Sequence, residues 1–161
     1  LSPDGRRLFL TGTRVISQVR TNTIHVYDVD PVDATVTEIQ LADPAGPPFI
    51  DRTVMHPSGD YLYALDDDSG LCYFLTANQA TGTVTWVDVD DDPANNVDGV
   101  KTAFDLDARD LSVGPNGKFL FTTGRNATTS IPIEPTGFLD VDGANTTAVG
   151  GQFITIFSAV P

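Results

Sequence analysis

Two adjacent acid–base couples, Asp51-Arg52 and Arg109-Asp110, are the residues whose types and spacing could do chemistry. A guanidinium can hold a carboxylate or polarise a carbonyl through charge-assisted hydrogen bonds. A carboxylate beside it can take a proton from water. The competing reading is structural: an arginine that ties neighbouring parts of the fold together by pairing with Asp51 or Asp110. A second set is purely acidic. Asp88, Asp90, Asp92 and Asp98, and further on Asp140 and Asp142, supply the hard oxygen ligands that calcium takes. None of these stretches has the full spacing of an EF-hand loop, and a solvated acidic loop accounts for them equally. His56 has the side chain a hydrolase uses near neutral pH, but it opens a tight turn, where a structural role is expected. His25 reads as a surface or inter-sheet residue. No Ser-His-Asp set and no Gly-x-Ser-x-Gly elbow can be traced, which disfavours a covalent serine mechanism.

The elements that must position these residues are announced by a repeated phrase. Ser2-Pro3-Asp4-Gly5, His56-Pro57-Ser58-Gly59 and Gly114-Pro115-Asn116-Gly117 each lead straight into an apolar run. Pro presets the φ of the second turn position, and Gly supplies the positive φ that closes the turn. The prolines are 54 and 58 positions apart, so the chain is an internal repeat.

Short β-rich runs separated by turn residues fill the space between the turns, and helical periodicity is absent. Each unit reads as four strands: A before the turn, B after it, then C and D as a second hairpin. Tyr61-Leu62-Tyr63-Ala64-Leu65 has no polar alternate, as a strand needs when its sheet is covered on both faces. Four-stranded meanders repeated about every 50 residues are the pattern of β-propeller blades. A two-sheet sandwich, the other all-β candidate, would not need the same turn in each unit.

The fold class expected is therefore all-β, a segment of a propeller. Residues 1–48 supply strands B to D of one blade, 49–107 a complete blade, and 108–161 strands A to C of a third. In this reading 125–151 is a long insertion, a lid or rim over the axial mouth, and Gln152–Phe157 is strand C. Ten strands leave a ring open, so the remaining blades are expected from the parent chain or another subunit. Strand A lies nearest the axis. Loop parity then puts Arg52, Arg109, the acidic link 90–107 and the insertion at one end of the sheets.

Composition narrows the partners. The chain carries 9 Lys and Arg against 22 Asp and Glu, a net charge of −13, which argues against nucleic acid or an anionic membrane surface. No apolar run approaches the roughly 18 residues needed to span a bilayer. Cys72 stands alone in an apolar run and reads as a buried, inert thiol. The chain opens on Leu1 just before a turn and reads like an internal piece of something longer, so missing targeting information says nothing about where the parent protein lives. Asn126-Ala127-Thr128 and Asn145-Thr146-Thr147 are sequons, which matter if the source glycosylates secreted proteins.

The stretch Asp51–Asp88, with its His-Pro-Ser-Gly turn, its Tyr-Leu-Tyr strand and the Gly82-Thr83-Val84-Thr85 hairpin, resembles the seven-bladed lactonase family. That family includes phosphogluconolactonase-like propellers and is related to YVTN-type repeats. Ala108-Arg109-Asp110-Leu111-Ser112-Val113-Gly114-Pro115-Asn116-Gly117-Lys118-Phe119-Leu120 is closer still, although Ala108 stands where the family has Pro. In the central unit the arginine, Arg52, is not at the family's place. The resemblance implies a hydrolase for a lactone or related small carboxylic ester that uses no nucleotide cofactor. Arg109 and Arg52 would bind the carboxylate or oxyanion, Asp110 or Asp51 would activate water, and calcium is the one metal the acidic stretches suggest. A secreted or periplasmic location is expected. The alternative is a non-catalytic extracellular or periplasmic propeller that binds a protein partner or serves as a scaffold.

Overall fold

The computed structural model describes residues 1–16, 19–42, 50–66, 70–87, 100–101 and 108–148. All regular structure among them is β. Sheet one is the antiparallel meander β1 (Arg7–Ile16), β2 (Val19–Val29) and β3 (Val36–Ala42). Sheet two runs in order through β4 (Arg52–Met55), β5 (Tyr61–Asp66), β6 (Leu71–Ala77) and β7 (Val84–Trp86). A short β8 (Val100–Lys101) also pairs with β6. Sheet three holds β9 (Ala108–Val113), β10 (Phe119–Gly124), β11 (Thr128–Pro132) and β12 (Asn145–Thr147).

The repeated phrase forms the same turn each time. Gly5, Gly59 and Gly117 have φ of 74°, 81° and 69°. Their N–H groups donate to the carbonyls of Ser2, His56 and Gly114 at 3.0, 2.9 and 2.8 Å. The turn hands the chain to strand B, whose alternate residues then bury on opposite faces. From β5, Leu62 and Ala64 pack toward sheet one with Phe9, Ile24 and Val26. Tyr63 and Leu65 pack toward sheet three with Leu111, Leu120 and Ile131. Sheet two is thus covered on both faces, which is why its central strand could not alternate with polar residues. The fold is an arc of β-propeller blades.

Polar side chains stitch the blades together as well. The Gln40 amide reaches from β3 to the edge of β7, donating to the Val84 carbonyl at 2.8 Å and accepting from its N–H at 2.6 Å. Gln40→Leu strands both backbone groups in a part-buried seam. It is expected to cost about 2 kcal/mol, because unpaired buried groups forfeit their hydrogen bonds. Urea unfolding followed by circular dichroism measures it.

Two expectations change. The segment 125–151 is not an insertion: β11 and β12 lie in it and complete sheet three as strands C and D. The loop between them, 133–144, sits at the turn end of the sheets and not over the mouth. There Gly137 meets the Tyr61 ring, and Phe138 stacks on Phe74 at 4.9 Å. The acidic link 90–107 likewise contains a strand, β8, that covers the edge of β6 beyond β7. Gln152–Phe157 lies outside the described residues. No helix among the described residues is long and apolar enough to cross a membrane.

Candidate functional site

The first strands of sheets two and three run against each other, β4 on β9, with β1 closing on β4 from the other side. Arg52 and Asp110 each stand four residues before the turn-opening residue, His56 or Gly114, so they occupy equivalent places in the repeat. Equivalent places on successive blades are neighbours in space. The result is an ion pair across the blades, Arg52 Nε to Asp110 Oδ1 at 4.0 Å, with the side chains 48% and 17% exposed. A contact this loose and this wet contributes less than about 1 kcal/mol, so its position matters more than its strength.

Arg52 is also tethered at its other end. Its Nη1 donates to the carbonyl of Asp51 at 2.8 Å, and the same oxygen accepts from Thr11 Oγ1 of β1 at 3.3 Å. The Asp51 N–H donates to the Leu65 carbonyl at 2.8 Å, extending the β4–β5 ladder by one residue. The three sheets therefore meet around the Asp51 peptide. Thr11 was missed in the sequence, because only the packing of β1 on β4 tells that it reaches this point.

Arg109 is placed by a bulge. Ala108 pairs with Gly124 and Asp110 with Thr123, which leaves Arg109 as the extra residue of β9. A bulge turns its side chain out of the regular alternation and commonly re-aims a residue beside a binding site. The half-buried Arg109 and Asp110 thus stand together at the start of β9, and Asp51 and Arg52 at the start of β4. All four expected residues lie at one end of the innermost strands. Chemically, the rim offers two guanidiniums for an anion or a polarised carbonyl and two carboxylates for a proton.

The histidines take the structural roles expected of them. His56 lies at the far end of the sheets, where Nε2 donates to the Gly117 carbonyl at 2.9 Å and Nδ1 accepts from the Ser58 N–H at 3.0 Å. It clasps one repeated turn to the next. His25 Nε2 lies 3.1 Å from Thr23 Oγ1, with Glu38 Oε1 at 3.4 Å from Nδ1. Cys72 is buried, and burial pushes its thiol up to about 12, which keeps it inert.

Asp88, Asp90, Asp92 and Asp98 fall outside the described residues. Among the described residues no group of three or more His, Cys, Asp or Glu is placed to hold a metal. Asp140 instead accepts the Gly143 N–H at 3.0 Å, closing its own turn. Asn126 is exposed beyond β10, whereas Asn145 opens strand β12 and not a loop.

Among the described residues two clefts open at the turn end, opposite Arg52 and Arg109, and neither was anticipated. One lies between sheets one and two, floored by Phe9, Met55 and Ala77 and edged by Arg7, Asn78 and Gln79. The other lies between sheets two and three, bounded by His56, Tyr61, Lys118, Phe119 and Glu134.

No family model and no curated protein sequence matches the chain. Solved structures do. The periplasmic gluconolactonase PpgL of Pseudomonas aeruginosa superposes over 99% of this chain and 41% of its own, with a TM-score of 0.67 and 16% identity. A putative 6-phosphogluconolactonase of Bacteroides uniformis matches over 89% of this chain and 43% of its own, with a TM-score of 0.62 and 12% identity. A second, from Bacteroides fragilis, matches over 80% and 36%, with a TM-score of 0.56 and 19% identity. The chain is similar in fold to these propellers and spans about two fifths of their length.

Proposed function

We propose that this chain forms part of the axial mouth of a lactonase-like propeller that hydrolyses a lactone or a related small carboxylic ester. The observation that carries the proposal is the grouping of Arg52, Arg109, Asp110 and Asp51 at the starts of the two innermost strands. Arg109, set apart by its bulge, binds the substrate carboxylate or the developing oxyanion. Asp110 or Asp51 takes a proton from water as the water oxygen attacks the carbonyl carbon. The ring ester bond breaks, and the departing alkoxide takes up the proton to give the open hydroxy acid. The substrate is small and anionic, and the chemistry calls for no nucleotide cofactor. Calcium on the acidic link remains part of the proposal through Asp88, Asp90, Asp92 and Asp98. A secreted or periplasmic location is supported by the fold it shares with a periplasmic lactonase.

The test is lactone turnover by the protein carrying its complete ring. Arg109→Ala is expected to lower kcat/KM by at least about a hundredfold, the scale for removing an oxyanion donor, while the melting temperature stays put. Unchanged turnover with an unchanged melt overturns the catalytic reading. A specific observation favours the other reading, a binding or scaffold propeller: Arg52 is already committed to Asp110 and to the Asp51 carbonyl, as a structural bridge would be. In that case Arg52→Ala lowers the melting temperature, and no lactone is consumed by any variant.

A further inference from the structure

The two seams of the arc are finished differently at their turn ends. Between sheets two and three, the loop 133–144 packs into the seam: Phe138 stacks on Phe74 at 4.9 Å, and the Tyr63 hydroxyl donates to the Gly137 carbonyl at 2.7 Å. Between sheets one and two, the chain passes from β6 to β7 through a tight turn, closed by the Gly82 N–H on the Asn78 carbonyl at 2.6 Å. There a hollow of about 90 Å³ remains, with Phe9, Met55 and Ala77 as its apolar floor.

Arg7 stands at the edge of this hollow with half of its guanidinium in use. Its Nη1 pairs with Asp28 and donates to the Arg6 carbonyl at 3.0 Å. Its Nε is buried and has no hydrogen-bond partner. Nε and Nη2 form the other edge of the fork, the edge suited to an acceptor oxygen. Gly82 is what admits the side chain here, since a Cβ on it would overlap the guanidinium. Buried donors are as a rule paired, so an unpaired one marks a place for an acceptor that the protein does not supply. Water serves poorly, because a trapped water needs about two to four polar partners and this floor is apolar. An anion is disfavoured as well. Asp28 already neutralises Arg7, Asp4 lines the same cleft, and the whole chain carries −13.

We propose that this cleft binds a small uncharged carbonyl compound, an amide or ester with a short apolar chain. Its oxygen accepts from Arg7 Nε, and its methyl or methylene groups lie on Phe9, Met55 and Ala77. The combination of an apolar floor with one oriented polar group is that of small-molecule sites in general. The volume suits a molecule of about five non-hydrogen atoms, in the space of about three waters. This site lies at the far end of the sheets from Arg109, so lactone turnover has no part in it or in its test.

The test is nuclear magnetic resonance of the protein carrying its complete ring, titrated with N-methylacetamide and, separately, with acetate. The Arg7 Nε–Hε signal is assigned by its loss in Arg7→Met. N-methylacetamide is expected to move that signal and the Gly82 amide saturably, with a Kd on the order of 1 mM, and acetate to bind more weakly. Arg7→Met, read from the Gly82 amide, is expected to weaken binding at least about tenfold, the scale of one hydrogen bond to a charged group. Ala77→Leu fills the floor and leaves Arg7 in place, and it is expected to abolish the shifts at an unchanged melting temperature. If Ala77→Leu melts early, Met55→Phe fills the same hollow from β4. An Arg7 signal that N-methylacetamide leaves unmoved means the hollow holds water only and overturns the proposal. So does acetate binding as tightly as the amide, or a shift that persists undiminished in the folded, filled variant.

Discussion

Gly137→Ala is expected to lower stability by about 2–4 kcal/mol through left-handed strain plus overpacking. At φ of 89° an L side chain already costs about 1 kcal/mol relative to glycine. The added methyl would then stand 2.7 to 2.8 Å from three atoms of the Tyr61 ring. That ring has little room to retreat, since Phe74 packs against it at 5.5 Å and His56 at 5.6 Å between ring centres. Moving the backbone instead would pull the Gly137 carbonyl away from the buried Tyr63 hydroxyl, which donates to it at 2.7 Å. Gly5→Ala is the control. Its φ of 74° carries the same strain, but nothing lies within 4 Å of the new methyl, so a loss near 1 kcal/mol is expected. Urea midpoints of the two variants measure the difference. Equal losses would mean that the strain alone matters and that the loop 133–144 does not lock sheet three onto sheet two.

The repeat made most of this architecture legible, because the turn phrase fixes a strand on either side of it and the apolar run at Tyr61–Leu65 can only be central. The failures share a physical cause. β11 and β12 read Thr-Thr-Ser-Ile-Pro and Asn-Thr-Thr, with few apolar side chains to mark them. They are held partly by hydroxyls, Thr129 to Thr146 at 3.0 Å and Thr123 to Thr128 at 3.3 Å, which no hydrophobic period records. In the sequence Ile154-Thr155-Ile156-Phe157 lines up with Ile24-His25-Val26-Tyr27, and composition prefers that match for strand C to the threonine-rich one. At the rim, both the acids and the arginines were visible. An arginine pairing with Asp51 or Asp110 was one of the two readings, but that Arg52 takes Asp110 was not legible, since it depends on equivalent repeat positions lying side by side across β4 and β9. The bulge at Arg109 was equally hidden, as it follows from the register of β9 on β10 and not from the residues themselves.

Alkaline unfolding is the second large effect, and it comes from the interior that the repeat builds. Cys72 is fully buried in β6, and desolvation raises its thiol from 9.0 to about 12. Tyr63, wholly enclosed in β5, has its phenol raised further above its usual 10.0, first by burial and then by the neighbouring Cys72 and Tyr61. Both groups are neutral acids in the folded state and ionise more readily once the chain unfolds. Above pH 9 the unfolded state therefore binds fewer protons than the native state, and stability falls as pH rises. The loss grows at up to about 1.4 kcal/mol per pH unit for Cys72 between pH 9 and 12, and Tyr63 adds a second such slope above pH 10. Below pH 9 neither group contributes any slope. Urea midpoints at a series of pH values are expected to be flat from 8 to 9 and to drop steeply beyond. In Cys72→Ala the onset should move up by about one unit, from the thiol's range to the phenol's. An unshifted onset would mean that the thiol meets solvent in the native state, and that sheets two and three do not seal the interior between them.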